Sequence, residues 1–137
     1  MPAGLEPAVP FERCLDGRIG VVYECAGVEE ARATVCVHAG LLAANGLLHG
    51  GVLAAMAEGL ASAATAAAVL SRGMTASGMS NETRVLADVT GGTITATARR
   101  RAAHDDLWVW DVEALANART CALSTVAIAV RALRRTP

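Results

Sequence analysis

The sequence predicts an α+β domain, and three observations predict it. A long alanine-rich run able to form one helix, about Gly50 to Ser71, follows two strand-like segments. Four further strand-like segments come after it, separated by short turns. Short connections favour antiparallel neighbours, and a lone helix must lie on a sheet to bury its apolar side. At 137 residues the chain reads as a single domain over 1–137, with no internal repeat or low-complexity linker. Hydrophobic residues make up 53% and charged residues 18%, which argues for an ordered chain. Aromatics are only 3%, so the core must be built from Ala, Val, Leu and Ile. Such small side chains leave a monomer short of bulk, and burial between subunits is expected.

Taken in order, Pro10 suits the first turn of a short helix running to Leu15. Arg18–Ala26 reads as a strand. In Ala31–His38, the small or apolar Ala31, Ala33, Val35 and Val37 alternate with Arg32, Thr34, Cys36 and His38, the period of a half-buried strand. Gly40 to Leu48 is then loop, and the helix begins at Gly50 and ends at Gly73. The remaining strands are expected at Thr75–Val89, Thr93–Arg101, Leu107–Leu115 and Thr120–Arg131. Turns at Thr90-Gly91-Gly92, His104-Asp105-Asp106 and Ala116-Asn117-Ala118-Arg119 would join these last four into an antiparallel meander.

Composition removes several classes of function. A net charge of −1 and a pI near 6.3 give no general attraction to nucleic acid. Val52–Leu70 is interrupted by Glu58 and rich in Ala, Ser and Thr, which argues against a membrane span. Met1–Glu6 lacks the basic start and apolar segment of a targeting signal. Cys14, Cys25, Cys36 and Cys121 are scattered without metal-type spacing and read as buried free thiols, as in a reducing cytoplasm. No metal or redox cofactor is expected.

Chemistry concentrates in Gly46-Leu47-Leu48-His49-Gly50-Gly51 and the helix after it. Two adjacent glycines lack Cβ atoms, so a substrate can approach their amides closely. The first N–H groups of a helix have no partner within it and, with the helix dipole, favour a negative oxygen. Glu58 lies seven residues beyond Gly51, about two turns along. An oxyanion site and a carboxylate on one helix suggest acyl transfer.

The arrangement resembles the hotdog-fold thioesterases, in which a curved antiparallel sheet wraps a long central helix. Gly46 to Glu58 is similar to the His-Gly-Gly segment of their acyl-CoA thioesterases. Gly73-Met74, Gly78-Met79-Ser80-Asn81, Leu107-Trp108-Val109-Trp110-Asp111-Val112 and Ile128-Ala129-Val130-Arg131 are most similar to the Arthrobacter-type 4-hydroxybenzoyl-CoA thioesterases. The resemblance covers about Arg18 to Arg135. It implies that Glu58 is the catalytic acid, that the Gly50 amide polarises the thioester carbonyl, and that Ser62, one turn past the acid, assists. It also implies a site at a subunit interface, with Glu58 acting on a carbonyl held by Gly50 of a neighbour in a homodimer or homotetramer.

Each residue also has a plainer reading. Glu58 as a solvated helix residue fits poorly with Ala54, Ala55, Leu60 and Ala61 around it. Burial there would raise its pKa and suit a base near neutral pH. His49 is equally readable as a helix cap or as a catalytic group, and Gly50 and Gly51 as parts of a tight turn. Thr65 reads as packing, Asn81 as a sheet hydrogen bond beside the pocket, and Trp108 and Trp110 as core or interface.

Two departures from the family pattern stand out. The related enzymes carry a Gln or Asn six residues before the His, where this chain has Ala43; Asn45 is the nearby amide. The turn expected at the nucleotide of CoA reads His104-Asp105-Asp106, and carboxylates repel phosphate. Arg99, Arg100, Arg101, Arg131, Arg134 and Arg135 remain as candidates for CoA or for docking an acidic acyl carrier protein.

The resulting expectation is hydrolysis of an acyl-CoA, with an aryl or short-to-medium acyl group, to free acid and thiol. Glu58, Gly50, His49 and Ser62 are the catalytic candidates. Asn45, Gly51, Asn81, Arg131 and Arg134 are the candidates for binding substrate. The alternatives are a non-hydrolytic thioester-binding or accessory protein, a thioesterase acting on an acyl carrier protein, and a dehydratase or hydratase. The last lacks its Asp-x-Asn-x-x-His segment here.

Overall fold

A computed structural model describes residues 7–133. The readings placed on Met1–Glu6, Arg134 and Arg135 lie outside the described residues. The first elements differ from expectation. A 3-10 turn at Phe11–Arg13 leads into helix α1, Leu15–Ile19, and strand β1 begins only at Val22 and runs to Ala26. Gly20, at φ 90°, stops α1 in the left-handed region. The amides of Gly20 and Val21 both donate to the Asp16 carbonyl, at 3.0 and 2.9 Å, so Arg18 and Ile19 are helical rather than extended.

Strand β2, Glu30–Cys36, buries Ala31, Ala33 and Val35 as the alternation predicts. Helix α2 spans Gly50–Val69 and closes through a 3-10 turn, Leu70–Arg72, at Gly73 with φ 69°. Strands β3 (Met74–Val85), β4 (Thr93–Ala103), β5 (Leu107–Ala116) and β6 (Arg119–Ala132) follow.

All six strands form one antiparallel sheet in the order β1-β2-β4-β5-β6-β3. The expected four-strand meander is therefore only partly present. The strands β4, β5 and β6 are neighbours in turn, but β3 pairs with β6 at the far edge. Residues 86–92 are long enough to carry the chain across rather than close a tight hairpin, and Val89 is buried on the way. Its carbonyl accepts the Leu48 amide at 2.7 Å, tying the crossover to the loop before α2.

Helix α2 lies across the inner face of the sheet. Leu53, Met56, Leu60, Ala61 and Ala64 are buried there with Ile94, Ala96, Ala98, Val126 and Ile128. Small residues on both layers allow this close approach. Trp110 is fully buried, and its indole N–H donates to Thr65 Oγ1 at 2.9 Å; the Thr65 hydroxyl donates to the Ala61 carbonyl at 2.8 Å. Every polar atom of the pair is thus satisfied, as burial requires. The 23 residues Gly50–Arg72 hold an 18-residue window of mean hydropathy 1.6, long and apolar enough to cross a membrane, but half of that window is buried inside this fold.

The expectation of buried thiols holds for Cys121 alone. Cys25 and Cys36 are exposed and Cys14 is half-buried, and all four are free. Cys36 follows buried Val35 in β2 and points to the opposite face, as strand geometry demands.

Candidate active site

Helix α2 starts on a histidine cap. His49, with extended backbone, accepts the Gly51 amide on Nδ1 at 2.9 Å, while the Val52 amide goes to the His49 carbonyl at 3.0 Å. Accepting on Nδ1 requires its lone pair, so a neutral ring carries its proton on Nε2. Gly51 makes this cap possible, because a Cβ there would sit 2.8 Å from Nδ1. Among the described residues the Gly50 amide donates to no backbone or side-chain acceptor. It stands at the positive end of a 20-residue helix, half-buried and close under Val85. A cleft of about 280 Å³ opens there, lined by His49, Gly50, Ala43, Asn45, Val85 and Asp88 among others. Asn45 accepts the Leu47 amide at 3.1 Å on Oδ1, which holds a local turn, and it lines this cleft together with Ala43.

Glu58 occupies a second cleft, of about 380 Å³, with Ser62, Asn81, Ala54, Gly59 and Asp16 on its walls. Contrary to the expectation of burial, Glu58 is exposed in the single chain. The apolar neighbours Leu60 and Ala61 face the core, and the acid projects from the other side of α2. Its carboxylate is nonetheless closely seated. A Cβ on Gly78 would lie 2.8 Å from Glu58 Cδ and 2.9 Å from Oε2, so strand β3 accommodates the acid by having no side chain there. The β3–β6 register also shifts between Gly78 and Ser80, a local bulge beside the acid.

Ser62 is half-buried in the same cleft, as one helical turn from Glu58 implies. Asn81 donates through Nδ2 to the Ala54 carbonyl at 2.8 Å and accepts from Thr83 Oγ1 at 2.7 Å. It clamps β3 to α2 and forms part of the wall.

The two halves of the predicted site do not meet within one chain. Gly50 and Glu58 are eight residues apart on one helix, a rise of about 12 Å, and they line different clefts. Trp108 and Trp110 are core residues, with ring centroids 6.3 Å apart. Arg131 is exposed on β6, away from both clefts. A third cavity, of about 760 Å³, lies on the outer face of the sheet and includes Arg84, Arg99, Arg100 and Arg101. Much of its charge is internally matched, with Arg84 on Glu82 and Arg101 on Asp111, each at 2.8 Å.

Sequence reasoning missed four residues around Glu58: Gly59 and Asp16, which line its cleft, Gly78, which lies against the acid, and Tyr23, which holds Asp16. The available signal was Gly59 itself. Glycine inside a helix is about 1 kcal/mol worse than alanine and usually marks a close approach. Here a Cβ on Gly59 would lie 3.1 Å from both Asp16 carboxylate oxygens and 3.2 Å from the Tyr23 hydroxyl.

No family model matches the chain. Over 112 residues it is 35% identical to the Mycobacterium tuberculosis (strain ATCC 25618 / H37Rv) protein named "Putative esterase Rv1847", spanning 79% of this chain and 77% of that one. The solved structure of that esterase superposes with a TM-score of 0.81 at 29% identity, covering 89% of this chain and 98% of it. A mutant form of thioesterase PA1618 from Pseudomonas aeruginosa gives a TM-score of 0.84 at 25% identity, over 89% of this chain and 88% of its own. AziG from S. sahachiroi gives 0.80 at 35% identity, over 85% and 94%. With its six-stranded sheet around one long helix and this shared sequence, the chain belongs to the hotdog-fold esterase and thioesterase family and is a hydrolase.

Proposed function

We propose that this protein hydrolyses acyl thioesters, with Glu58 as nucleophile or general base and the Gly50 amide of a neighbouring subunit as oxyanion donor. The observation that carries the reading is the seating of Glu58. The one charged side chain of α2 faces a cleft, and strand β3 makes room for it at Gly78. Attack on a thioester places charge on the carbonyl oxygen, and a fixed amide stabilises it without reorganising, at about 2.7–4 kcal/mol per donor. The acid either attacks the carbonyl or deprotonates water. His49 organises the helix start through its cap, and Ser62 is the polar group next to the acid.

A second copy of the chain completes the site. Among the described residues strand β3 ends the sheet, pairs only with β6, and presents Met79 at 59% exposure. Such an edge is a template for pairing. Gly78 lies by Glu58 and Val85 lies by Gly50, symmetrically about Asn81 and Glu82. Antiparallel pairing of two β3 strands about a two-fold axis there would set Gly78 opposite the partner's Val85. Glu58 of one subunit would then approach Gly50 of the other, and the partner would supply the desolvation that the single chain lacks. A homodimer, or a tetramer of such dimers, follows.

The substrate is an acyl-CoA with an aryl or short-to-medium acyl group, in line with the resemblance to the Arthrobacter-type enzymes. An acyl carrier protein as donor is favoured instead by the carboxylates of the His104-Asp105-Asp106 turn, since a carrier needs no nucleotide pocket. Free-thiol release from benzoyl-, phenylacetyl- and straight-chain acyl-CoAs tests the reading, comparing wild type with Glu58→Gln. A loss of about a hundredfold or more supports it. Turnover unaffected by the change removes Glu58 from the mechanism.

A further inference from the structure

One wall of the Glu58 cleft is built by residues no thioester chemistry requires. Asp16 is fixed from three sides. Its carbonyl takes the amides of Gly20 and Val21, its carboxylate Oδ2 accepts the Tyr23 hydroxyl at 2.7 Å, and both carboxylate oxygens lie over Gly59. Gly17 allows α1 to fold back onto the preceding turn, because a Cβ there would overlap the Phe11 carbonyl oxygen. The helix thus gives up a side chain next to its acid so that a held carboxylate can approach it.

Burial, followed by the Asp16 hydrogen bond and charge, holds the Tyr23 phenol protonated well above its ordinary range. Tyr23 is therefore a permanent donor to Asp16. An ionised carboxylate has about four lone-pair sites, and among the described residues Tyr23 is its single side-chain donor. The remaining acceptor capacity borders a half-open cleft shared with Glu58, Ser62 and Leu15. Adjacent helix residues project about 100° apart, so Glu58 and the surface over Gly59 address different parts of one bound acyl group.

Resting on the hydrolase reading above, we propose that the Asp16–Tyr23 pair sets acyl specificity, accepting a hydrogen bond from a hydroxyl on the acyl chain and rejecting acyl groups that end in a carboxylate. An acceptor-only group rewards a donor. It also adds a second negative charge to a cleft that already holds Glu58, which penalises an anionic substrate end. Discrimination follows because a hydroxylated acyl chain supplies a donor to the Asp16 oxygens that face the cleft, and a plain acyl chain does not.

The test compares kcat/KM for 3-hydroxybutanoyl-CoA, butanoyl-CoA and succinyl-CoA in wild type, Asp16→Asn and Tyr23→Phe, with thermal melts on each. Wild type is expected to prefer the hydroxylated substrate over butanoyl-CoA by about tenfold, the scale of one charge-assisted hydrogen bond. Asp16→Asn removes most of that preference and raises the succinyl-CoA rate relative to butanoyl-CoA, with a native melt. Tyr23→Phe, which keeps the charge but frees the carboxylate, lowers the hydroxyl preference and leaves succinyl-CoA rejected. Equal substrate ratios in wild type and a folded, active Asp16→Asn overturn the specificity proposal and leave the hydrolase reading standing. Absence of thiol release from all three in the wild type overturns both.

Discussion

Adding one methyl group at Gly78 tests the placement of Glu58 without altering the acid. In Gly78→Ala the new Cβ would start 2.8 Å from Glu58 Cδ and 2.9 Å from Oε2, whereas ordinary contacts begin at 3.4 Å. Something must move by about 0.6 Å, the difference between those two distances. The nearest atoms are the end of a flexible side chain rather than backbone, so the carboxylate yields and the strand stays. Gly78 lies on an edge strand and its φ is not in the left-handed region, so alanine imposes no backbone strain. Displacement of a reacting group by about 1 Å can cost a hundredfold in rate, and the smaller shift here predicts a fall in kcat of about tenfold to a hundredfold. The assay is steady-state thiol release across a range of substrate concentration, with melting temperature and oligomeric state measured in parallel. The expected result is a loss in kcat with a native melt and an unchanged assembly. A kcat within twofold of wild type, in a folded protein of the same assembly, would refute the reasoning that the chemistry takes place where β3 seats Glu58.

The shared site predicts complementation: Gly50→Pro removes the oxyanion amide at a position where proline is tolerated, and co-expression with Glu58→Gln should restore about a quarter of wild-type activity through mixed dimers. Activity no higher than the sum of the two separate variants would place Glu58 and Gly50 in one chain. Gly51→Ala forces the His49 ring away from its 2.8 Å approach and breaks the cap, with an expected stability loss of about 1 kcal/mol by urea unfolding. Thr65→Val leaves the buried Trp110 N–H without its acceptor and should cost about 1–3 kcal/mol in the same assay. The Tyr23 phenol is raised above its ordinary 10.0, so the unfolded chain loses that proton first as pH rises. Stability is fully present below pH 10 and falls above it, and Tyr23→Phe should flatten that alkaline limb of a stability–pH curve. Under native conditions a thiol reagent should modify Cys25 and Cys36 quickly and Cys121, whose thiol burial pushes up, only on unfolding.

What the sequence determined by itself is what depends on neighbours along the chain. The period of two in Ala31–Val35, the alanine-rich run ending at Gly73, and the His-Gly-Gly start of α2 with Glu58 beyond it all survive in the fold. Each is a relation between residues a few positions apart, fixed by strand and helix geometry. Local signals failed where a single residue overrode them, as at Gly20, whose left-handed turn kept Arg18 and Ile19 in a helix. Only the tertiary structure decided which edge β3 would take, that Glu58 would face a cleft rather than the core, and that Gly78 would make room for it. It also brought Asp16 and Tyr23 onto Gly59 and set Gly50 and Glu58 in separate clefts. Those relations join segments far apart in sequence, and they are set by close packing of whole layers, which no local pattern of residues encodes.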